Sequence, residues 1–437
     1  MTSPSARADV PAGRLVARTT ELLAPDLPAA LVDLLPATDP MAWLRRGEGL
    51  VAWGVAAECR TSGADRFADA SDWWREISSG AVVRDDVALP GTGLVCLGSF
   101  AFADDPGDSV LVVPRVVVGT RGGRSWITVV GRDELGPPPV LVAQDAPEAP
   151  REVAFADGAM SGAAWESVVA DAVARIAAGE LEKVVLARDL IATADRDIDV
   201  RWPLRKLATS YEMCWTFHVD GLFGATPEML VRRERGLVTS RVLAGTIRRT
   251  GDDSRDAALA GQLARSSKDL EEHEYAVRSV ADSLAPFCSS TNVPEVPFVL
   301  HLPNVMHLAT DVAGVVHEHR DGHHDGQHDG QQQPGATVLE LAAALHPSAA
   351  VGGFPTKVAV ELIEEIEGMP RGRYAGPVGW MDASGDGEFG IALRSAEIAG
   401  CQVRLFAGCG IVASSEPESE LAEAQAKFLP VRDALTD

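Results

Sequence analysis

The 437-residue sequence lacks the features that define several large protein classes. Its six cysteines include no C-x-x-C pair, so we predict neither a zinc site nor a disulfide framework, and expect reduced thiols in a cytoplasm. No stretch approaches the roughly 18 apolar residues of a membrane span, and the amino terminus has no continuous apolar core. We therefore expect no membrane helix and no secretory signal.

Positive charge is also scarce, with 39 lysines and arginines against 63 acidic residues and a net charge of −24 at pH 7. A surface this negative disfavours nucleic acid and anionic membranes as partners. A small anionic ligand would need a local cluster of Lys, Arg, backbone N–H groups or a metal cation.

Several catalytic motifs are missing as well, namely G-x-x-x-x-G-K-[ST], H-E-x-x-H and G-x-S-x-G. One stretch, Gly408 to Ala413, resembles the dinucleotide-binding fingerprint. Only 437 − 413 = 24 residues follow it, too few for the helix, strand and acidic residue of that unit. Its glycines predict instead that the backbone approaches a ligand or another element closely.

The composition, 46% hydrophobic and 23% charged, is typical of a folded protein with a large core. Residues 1–150 are predicted to be a strand-rich half, with short apolar runs between Gly, Pro and Asp turns. The Pro- and Ala-rich stretch 136–150 is either a domain boundary or a crossover within one core, and we favour the crossover. Residues 151–437 then form the catalytic region.

Three helices in residues 151–437 can be predicted from spacing and capping residues. Trp165 and Ile176 belong to a helical apolar stripe that ends near Gly179, before a strand that begins at Lys183. A helical stretch over 255–284 breaks near Ser266 or Ser267, either of which can cap a second helix. The third helix begins near residue 418.

One low-complexity segment, residues 317–334, holds five of the ten histidines. A metal-binding tract is the alternative reading. Because so much Gly, Asp and Gln cannot bury apolar surface, we predict a mobile loop between strands and give it no catalytic role.

In the helix after residue 418, Glu420, Glu423 and Lys427 fall at i, i+3 and i+7 on one face. Taken alone, this spacing predicts a solvated face with an ion pair between Glu423 and Lys427.

Eight ordered segments over about residues 160–430 resemble the chorismate-utilising enzymes, which include isochorismate, salicylate, anthranilate and aminodeoxychorismate synthases. These segments are Glu180-Leu-Glu-Lys-Val-Val-Leu-Ala-Arg188, Phe223-Gly-Ala-Thr-Pro-Glu-Met-Leu230, Leu243-Ala-Gly-Thr246, Ser267-Lys-Asp-Leu-Glu-Glu-His273, His307-Leu-Ala-Thr310, Leu345-His-Pro-Ser348, Gly353-Phe-Pro355 and Phe406-Ala-Gly-Cys-Gly-Ile-Val412. The resemblance implies an α+β fold in which two large antiparallel sheets pack with flanking helices in a single compact unit. It also implies a Mg²⁺-dependent active site.

The resemblance further implies roles for two catalytic residues. Lys183 would be the general base that activates water, and Glu228 would be the general acid that protonates the leaving hydroxyl. Such a lysine must be desolvated or lie beside another cation, because an ordinary amine is protonated at neutral pH. The glutamate needs the opposite change, a pKa raised by burial or negative neighbours.

Binding residues are implied in the same way. Glu272 and Glu423 would hold Mg²⁺, with Glu420 near its water shell, and carboxylate oxygens suit this hard cation. Gly245, Thr310, Ala350, Arg394, Gly408 and Lys427 would contact the substrate.

Among the family members, those that use ammonia generally lack the lysine base, so Lys183 indicates a water-using enzyme. Ala350-Val351 and Phe354-Pro355 resemble isochorismate synthases, which interconvert chorismate and isochorismate. The alternatives are a salicylate synthase, which also eliminates pyruvate, and a non-catalytic anion-binding protein on the same scaffold. We expect a monomer without an obligatory protein partner. A menaquinone and a siderophore pathway both remain open.

Overall fold

The computed structural model describes residues 13–23, 27–301, 305–317 and 335–436, with only the backbone of residues 268 and 272. Its helices are α1 (Arg66–Ser79), α2 (Gly162–Ala177), α3 (Arg201–Ser210), α4 (Asp253–Leu263), α5 (Ser267–Leu284), α6 (Val338–Leu345), α7 (Thr356–Ile366) and α8 (Pro417–Ala434).

The strands of residues 1–150 are β1 (Leu15–Leu22), β2 (Pro40–Arg45), β3 (Glu48–Thr61), β4 (Val82–Asp85), β5 (Val95–Ser99), β6 (Ser109–Arg121) and β7 (Arg124–Arg132). Those that follow are β8 (Ala154–Asp157), β9 (Lys183–Thr193), β10 (Trp215–Val219), β11 (Leu222–Thr226), β12 (Met229–Glu234), β13 (Leu237–Arg248), β14 (Cys288–Asn292), β15 (Phe298–His301), β16 (Val305–Val316), β17 (Gly353–Phe354), β18 (Pro377–Asp382), β19 (Gly387–Ile391), β20 (Ser395–Ala399) and β21 (Gln402–Ile411).

Strand pairing is antiparallel throughout the described residues except between β1 and β4. The pairings of β2 with β10 and of β5 with β18 hydrogen-bond strands from before residue 150 to strands from after it. The predicted α+β class, with antiparallel sheet, flanking helices and a single compact unit, is confirmed. Two sheets were predicted, but hydrogen-bonded pairings join all the described strands into one continuous network, because β2–β10 and β5–β18 connect the two halves.

The helix boundaries follow the predicted capping residues. Ser266 caps α5, and its side chain accepts a hydrogen bond from the Asp269 N–H at 3.3 Å. Gly179 follows α2 with a φ of +81°, a left-handed conformation that glycine adopts without steric cost. The chain can therefore reverse and enter β9 at Lys183.

The packing of α2 fixes the position of β9. Trp165 on α2 is fully buried, and its indole N–H donates to the Ala187 carbonyl of β9 at 3.1 Å. Because a buried indole both fills space and needs an acceptor, this contact sets the helix's depth and its rotation against the strand. The same helix packs on α8, so β9 and α8 share a support.

The glycines of the stretch from Gly408 to Ala413 do not form the turn between a strand and a helix that the fingerprint requires. Gly408 and Gly410 lie inside β21, opposite Ala187 and Val185 of β9. The prediction that this is not a dinucleotide site is therefore confirmed, as is the close backbone approach. A Cβ added at Gly408 would lie 2.6 Å from the Leu186 carbonyl oxygen.

Two further sequence predictions concern segments without regular structure. Residues 136–150 contain no helix or strand, and the chain runs through them between β7 and β8. The His-rich segment 317–334 lies, apart from its first residue, outside the described residues. Among the helices that are described, none combines the length and the apolar character needed to cross a bilayer.

Candidate active site

A cavity of about 380 Å³ lies where β9, β21 and β13 meet the start of α5 and the amino-terminal part of α8. Most of the predicted site residues line it, although they come from segments spread over more than half of the chain. They are Lys183, Glu228, Gly245, Ala350, Arg394, Gly408, Glu420, Glu423 and Lys427. A volume of this size fits a small organic molecule.

Lys183 begins β9 and extends across β21. A Cβ added at Gly410 would lie 2.8 Å from Lys183 Cε and 3.4 Å from its Nζ, so the lysine side chain occupies the space that this glycine leaves. Phe354 of β17 pairs with Lys183 on the other side of β9. The lysine is thus held between two strands, partly buried, with its stem against Gly410.

Glu228 lies between β11 and β12 and is 6% exposed. Its backbone N–H donates to Thr226 Oγ1 at 3.2 Å, and its carbonyl accepts from the Ile391 N–H at 3.1 Å. Burial raises the pKa of Glu228 to about 7, although the charges of Lys183, Lys427 and Arg394 oppose that rise. A carboxyl group that carries a proton near neutral pH therefore faces the same cavity as Lys183.

Arg394 and Lys427 add positive charge to the cavity. Arg394 has a φ of +49°, an uncommon conformation for a residue with a side chain, and its carbonyl accepts from the Ala225 N–H at 3.2 Å. Burial lowers the pKa of Arg394 from its usual range. Lys427 donates to the Gly408 carbonyl at 2.9 Å and to Glu423 Oε1 at 2.7 Å. The predicted Glu423–Lys427 pair therefore forms, but at the cavity wall.

The carboxylates of α8 differ in their electrostatics. Burial raises the pKa of Glu420, and the nearby charge of Glu423 raises it further. Burial also raises the pKa of Glu423, but the charge and hydrogen bond of Lys427 outweigh it and leave that pKa below its usual value. Two carboxylates crowded on one helical face are what a cation between them would stabilise.

The backbone at Gly245 bends toward the cavity. The register of β13 against β16 shifts between Ala244 and Thr246, and Gly245 at this bulge has a φ of +74°. A Cβ there would lie 3.1 Å from the Asp269 Cβ. The bulge and this close approach explain why glycine is needed at position 245.

Two predicted site residues, Thr310 and Glu272, have no described side chain that lines the cavity. Thr310 does not line it, because its hydroxyl bonds to His273 Nε2 at 2.7 Å inside the β16–α5 interface. The substrate contact of Thr310 stays a prediction. The side chain of Glu272 lies outside the described residues, although its backbone belongs to α5.

The sequence reasoning missed several residues that line the cavity, which are Asp269, His307, Arg371 and Tyr374. His307 is 7% exposed, and its Nδ1 bonds to Thr246 Oγ1 at 3.0 Å. Within the described part of the chain its Nε2 has no hydrogen-bond partner. Burial, helped by the charges of Arg394 and Lys427, lowers the pKa of His307 to about 3 and keeps the ring neutral. The available signal was that His307 begins the family-like segment His307-Leu-Ala-Thr310.

The cavity's donor set is suited to a hard divalent cation. Asp269, Glu420 and Glu423 present carboxylates at its wall, and such oxygens are the ligands that Mg²⁺ prefers. Within the described ranges no three ligating side chains converge closely enough to form a complete metal site. A Mg²⁺ ion would thus be held by two carboxylates of α8 and by groups from other sources.

The fold and the cavity define a chorismate-binding enzyme. Residues 140–436 match the family model described as "Chorismate binding enzyme", and the chain belongs to this family.

Similar proteins include the "Salicylate biosynthesis isochorismate synthase" of Pseudomonas aeruginosa, 32% identical over 91% of this chain and 85% of that protein. "Isochorismate synthase MenF" of Bacillus subtilis is 36% identical over 62% of this chain. The chain spans 55% of that relative's length, and 65% of a second from the same organism. A Bacillus anthracis structure designated a 2,3-dihydroxybenzoate-specific isochorismate synthase superposes with a TM-score of 0.74, at 29% identity, over 93% of this chain and 98% of that one.

The two glycines of β21 are expected to respond differently to Ala. Gly408→Ala forces a Cβ against a backbone oxygen at 2.6 Å, so we expect unfolding free energy to fall by about 1 to 3 kcal/mol. Gly410→Ala meets only the flexible end of Lys183, so a loss below about 1 kcal/mol is expected, with Lys183 displaced. Urea denaturation measures the stability loss of each variant, and a crystal structure of Gly410→Ala shows whether Lys183 is displaced. Equal stability losses in the two variants would contradict this account of β21.

Proposed function

We propose that the protein is an isochorismate synthase, which interconverts chorismate and isochorismate. The observation that carries the proposal is the presence, in one cavity, of a buried glutamic acid with a pKa of about 7 and of a lysine at the start of β9. The family membership and the names of the relatives support the same activity.

The reaction needs one proton acceptor and one proton donor. Lys183, in its neutral form, takes a proton from water as the water oxygen bonds to one ring carbon. The ring double bonds shift, and the hydroxyl on another ring carbon leaves as water with the proton of Glu228. One water enters and one leaves, so the product is an isomer of the substrate.

Chorismate carries two carboxylates, and the cavity offers separate cationic groups for them. Arg394 and Lys427 would bind the enolpyruvyl carboxylate, near the Gly408 backbone. The backbone around Gly245 would contact the ring, as would Ala350 on the loop between α6 and β17, which we call the facing loop. These groups supply the local positive field that an acidic protein needs to bind a dianion.

Mg²⁺ is the proposed cofactor. Glu423 and Glu272 would hold it, the latter through a side chain that lies outside the described residues, with Glu420 near its water shell. When bound, the ion would supply positive charge toward the ring carboxylate of the substrate.

The remaining features of the proposal concern the cell. The described structure contains six free cysteines, which is consistent with a reducing cytoplasm. We place the enzyme there as a monomer, supplying isochorismate to menaquinone or siderophore synthesis.

Product analysis tests the activity and its nearest alternative. Purified protein with chorismate and Mg²⁺ should form isochorismate, and Lys183→Ala should lower turnover by at least about 100-fold, because the general base is lost. Lys357→Ala on α7, outside the cavity, is the matched control and should keep wild-type turnover. Salicylate and pyruvate accumulating together would favour a salicylate synthase, and unchanged turnover in Lys183→Ala would refute the base.

The buried acid makes a separate prediction about stability. Since folding raises the pKa of Glu228 from 4.5 to about 7, the folded state keeps a proton that the unfolded chain releases. The free energy of unfolding should therefore fall as pH rises from about 4.5 to about 7, by roughly 3 kcal/mol from this group. Glu228→Gln should remove that part of the pH dependence in urea denaturation, whereas Glu48→Gln, at an exposed glutamate, should keep it. Parallel pH curves for wild type and Glu228→Gln would contradict the raised pKa.

The metal proposal is tested by binding as well as by turnover. Mg²⁺ should raise the thermal unfolding midpoint of the wild-type protein, and Glu423→Gln should weaken that response by about 10- to 100-fold in Mg²⁺ concentration. Glu418→Gln, at an exposed position of the same helix outside the cavity, is the matched control. If both variants respond to Mg²⁺ like the wild type, Glu423 is not a ligand.

A further inference from the structure

A buried ion pair between Glu367 and Arg371 lies under the cavity. Their side chains are 1% and 3% exposed, respectively. Glu367 caps the C-terminal end of α7, and Arg371 follows four residues later and lines the cavity. Neither residue belongs to the proposed acid, base or metal site.

The Arg371 guanidinium makes four hydrogen bonds within the protein. Its Nε and one terminal nitrogen donate to the two carboxylate oxygens of Glu367 at 2.7 and 2.6 Å. It also donates to the backbone carbonyls of Val185 at 2.7 Å and Val351 at 2.9 Å. Only the planar fork of arginine can serve all these acceptors at once, because the ammonium of lysine is a point donor.

Glu367 adds a further contact to the same strand. Its Oε2 accepts a hydrogen bond from the Ala187 N–H at 2.8 Å. The ion pair therefore holds a carbonyl and an N–H of β9, at Val185 and Ala187. Val185 is two residues beyond Lys183, on the same face of the strand.

The Val351 contact joins the facing loop to this strand. Ala350 and Val351 line the cavity, and the Gly352 carbonyl accepts from the Val185 N–H at 2.9 Å. Through Arg371, the loop and the strand that begins at Lys183 share one charged anchor. The guanidinium also lies 4.2 Å above the ring of Phe102, which adds a contact from the amino-terminal half.

Such a pair is poorly explained by stability alone. Removing two charges from water is expensive, and well-packed hydrophobic residues commonly stabilise a core as well as a buried ion pair does. Its hydrogen bonds, however, fix backbone atoms on both sides of the cavity. The geometry is that of a device that sets relative position.

We propose that Arg371, oriented by Glu367, is a positioning residue that sets the base Lys183 and the Ala350–Val351 backbone at the substrate. The inference rests on the proposed isochorismate synthase activity. It assigns no contact of Arg371 with substrate. Its effect is exerted through the backbone of β9 and of the facing loop.

The test compares Arg371→Lys and Glu367→Gln with Arg233→Lys in the full-length protein with Mg²⁺. Arg233 forms another buried ion pair, with Asp386, whose side chains are 9% and 8% exposed and which lies outside the cavity. Arg233→Lys is therefore matched in chemistry and burial. Chorismate kcat and KM are measured per folded molecule, using thermal unfolding to determine the folded fraction.

We expect Arg371→Lys and Glu367→Gln to lower kcat by about 10- to 100-fold, since a small displacement of a catalytic group has effects of that size. KM should change less than about threefold, because Arg394 and Lys427 are untouched. Arg233→Lys should lower the unfolding midpoint but leave kcat within about twofold of wild type. If Arg371→Lys also keeps wild-type kcat, or Arg233→Lys loses as much, the positioning role is overturned.

Two outcomes need a separate reading. If the wild-type protein forms no isochorismate, the proposed function fails and this inference fails with it, whereas an active wild type with active variants refutes the inference alone. If Arg371→Lys does not fold, the double variant Arg371→Met with Glu367→Leu replaces the pair by apolar side chains. It should fold and still show the kcat loss, and wild-type kcat in that variant would overturn the proposal.

Discussion

The pairing of β9 with β21 is the constraint on which the candidate site depends. Ten consecutive residue pairs bring Gly408 and Gly410 against Ala187 and Val185, and α8 follows β21 directly. Lys183 can cross the neighbouring strand only because residue 410 has no side chain. The same strand pairing places the Gly408 carbonyl where the ammonium of Lys427 on α8 donates a hydrogen bond to it. Lys183, the Gly408 backbone and α8 are thus positioned by one piece of antiparallel sheet.

The cavity brings together several of the cationic side chains that are scarce in the whole chain. The net charge is −24, yet the wall that holds Glu228 also carries Lys183, Arg394 and Lys427. Those cations pull the pKa of Glu228 downward, and burial is strong enough to overcome them. A buried acid that keeps its proton beside these side chains is suited to donate it, and Arg394 and Lys427 remain available for an anionic ligand. The net charge of the chain describes its surface. The pKa of Glu228 in the cavity depends instead on desolvation and on a few neighbouring charges.

Much of the fold could be predicted from local chemistry. Ser266 and Gly179 mark helix ends because an N-cap oxygen and a left-handed glycine satisfy backbone groups there. Most of the site residues predicted from the ordered segments line the cavity, since those segments carry the chemistry of a family. The hydrogen bond of Thr310 to buried His273 could not be predicted, because it joins residues 37 positions apart that no local pattern connects. Arg371 was missed for a related reason, because its importance lies in the backbone acceptors that the tertiary fold brings to it.

The amino-terminal half contributes to the cavity without supplying its proposed catalytic groups. The Phe102 N–H donates a hydrogen bond to the Gly372 carbonyl, and the half-buried His346 ring donates one to the Phe102 carbonyl. The Phe102 ring in turn packs on the Arg371 guanidinium, whose other contacts reach β9 and the facing loop. The strand pairings of β2 with β10 and β5 with β18 join this support to the strands that follow residue 150. Residues 1–150, in which no catalytic side chain was predicted, therefore contribute to the site through packing. The position of a side chain on a strand depends on the residues that support that strand.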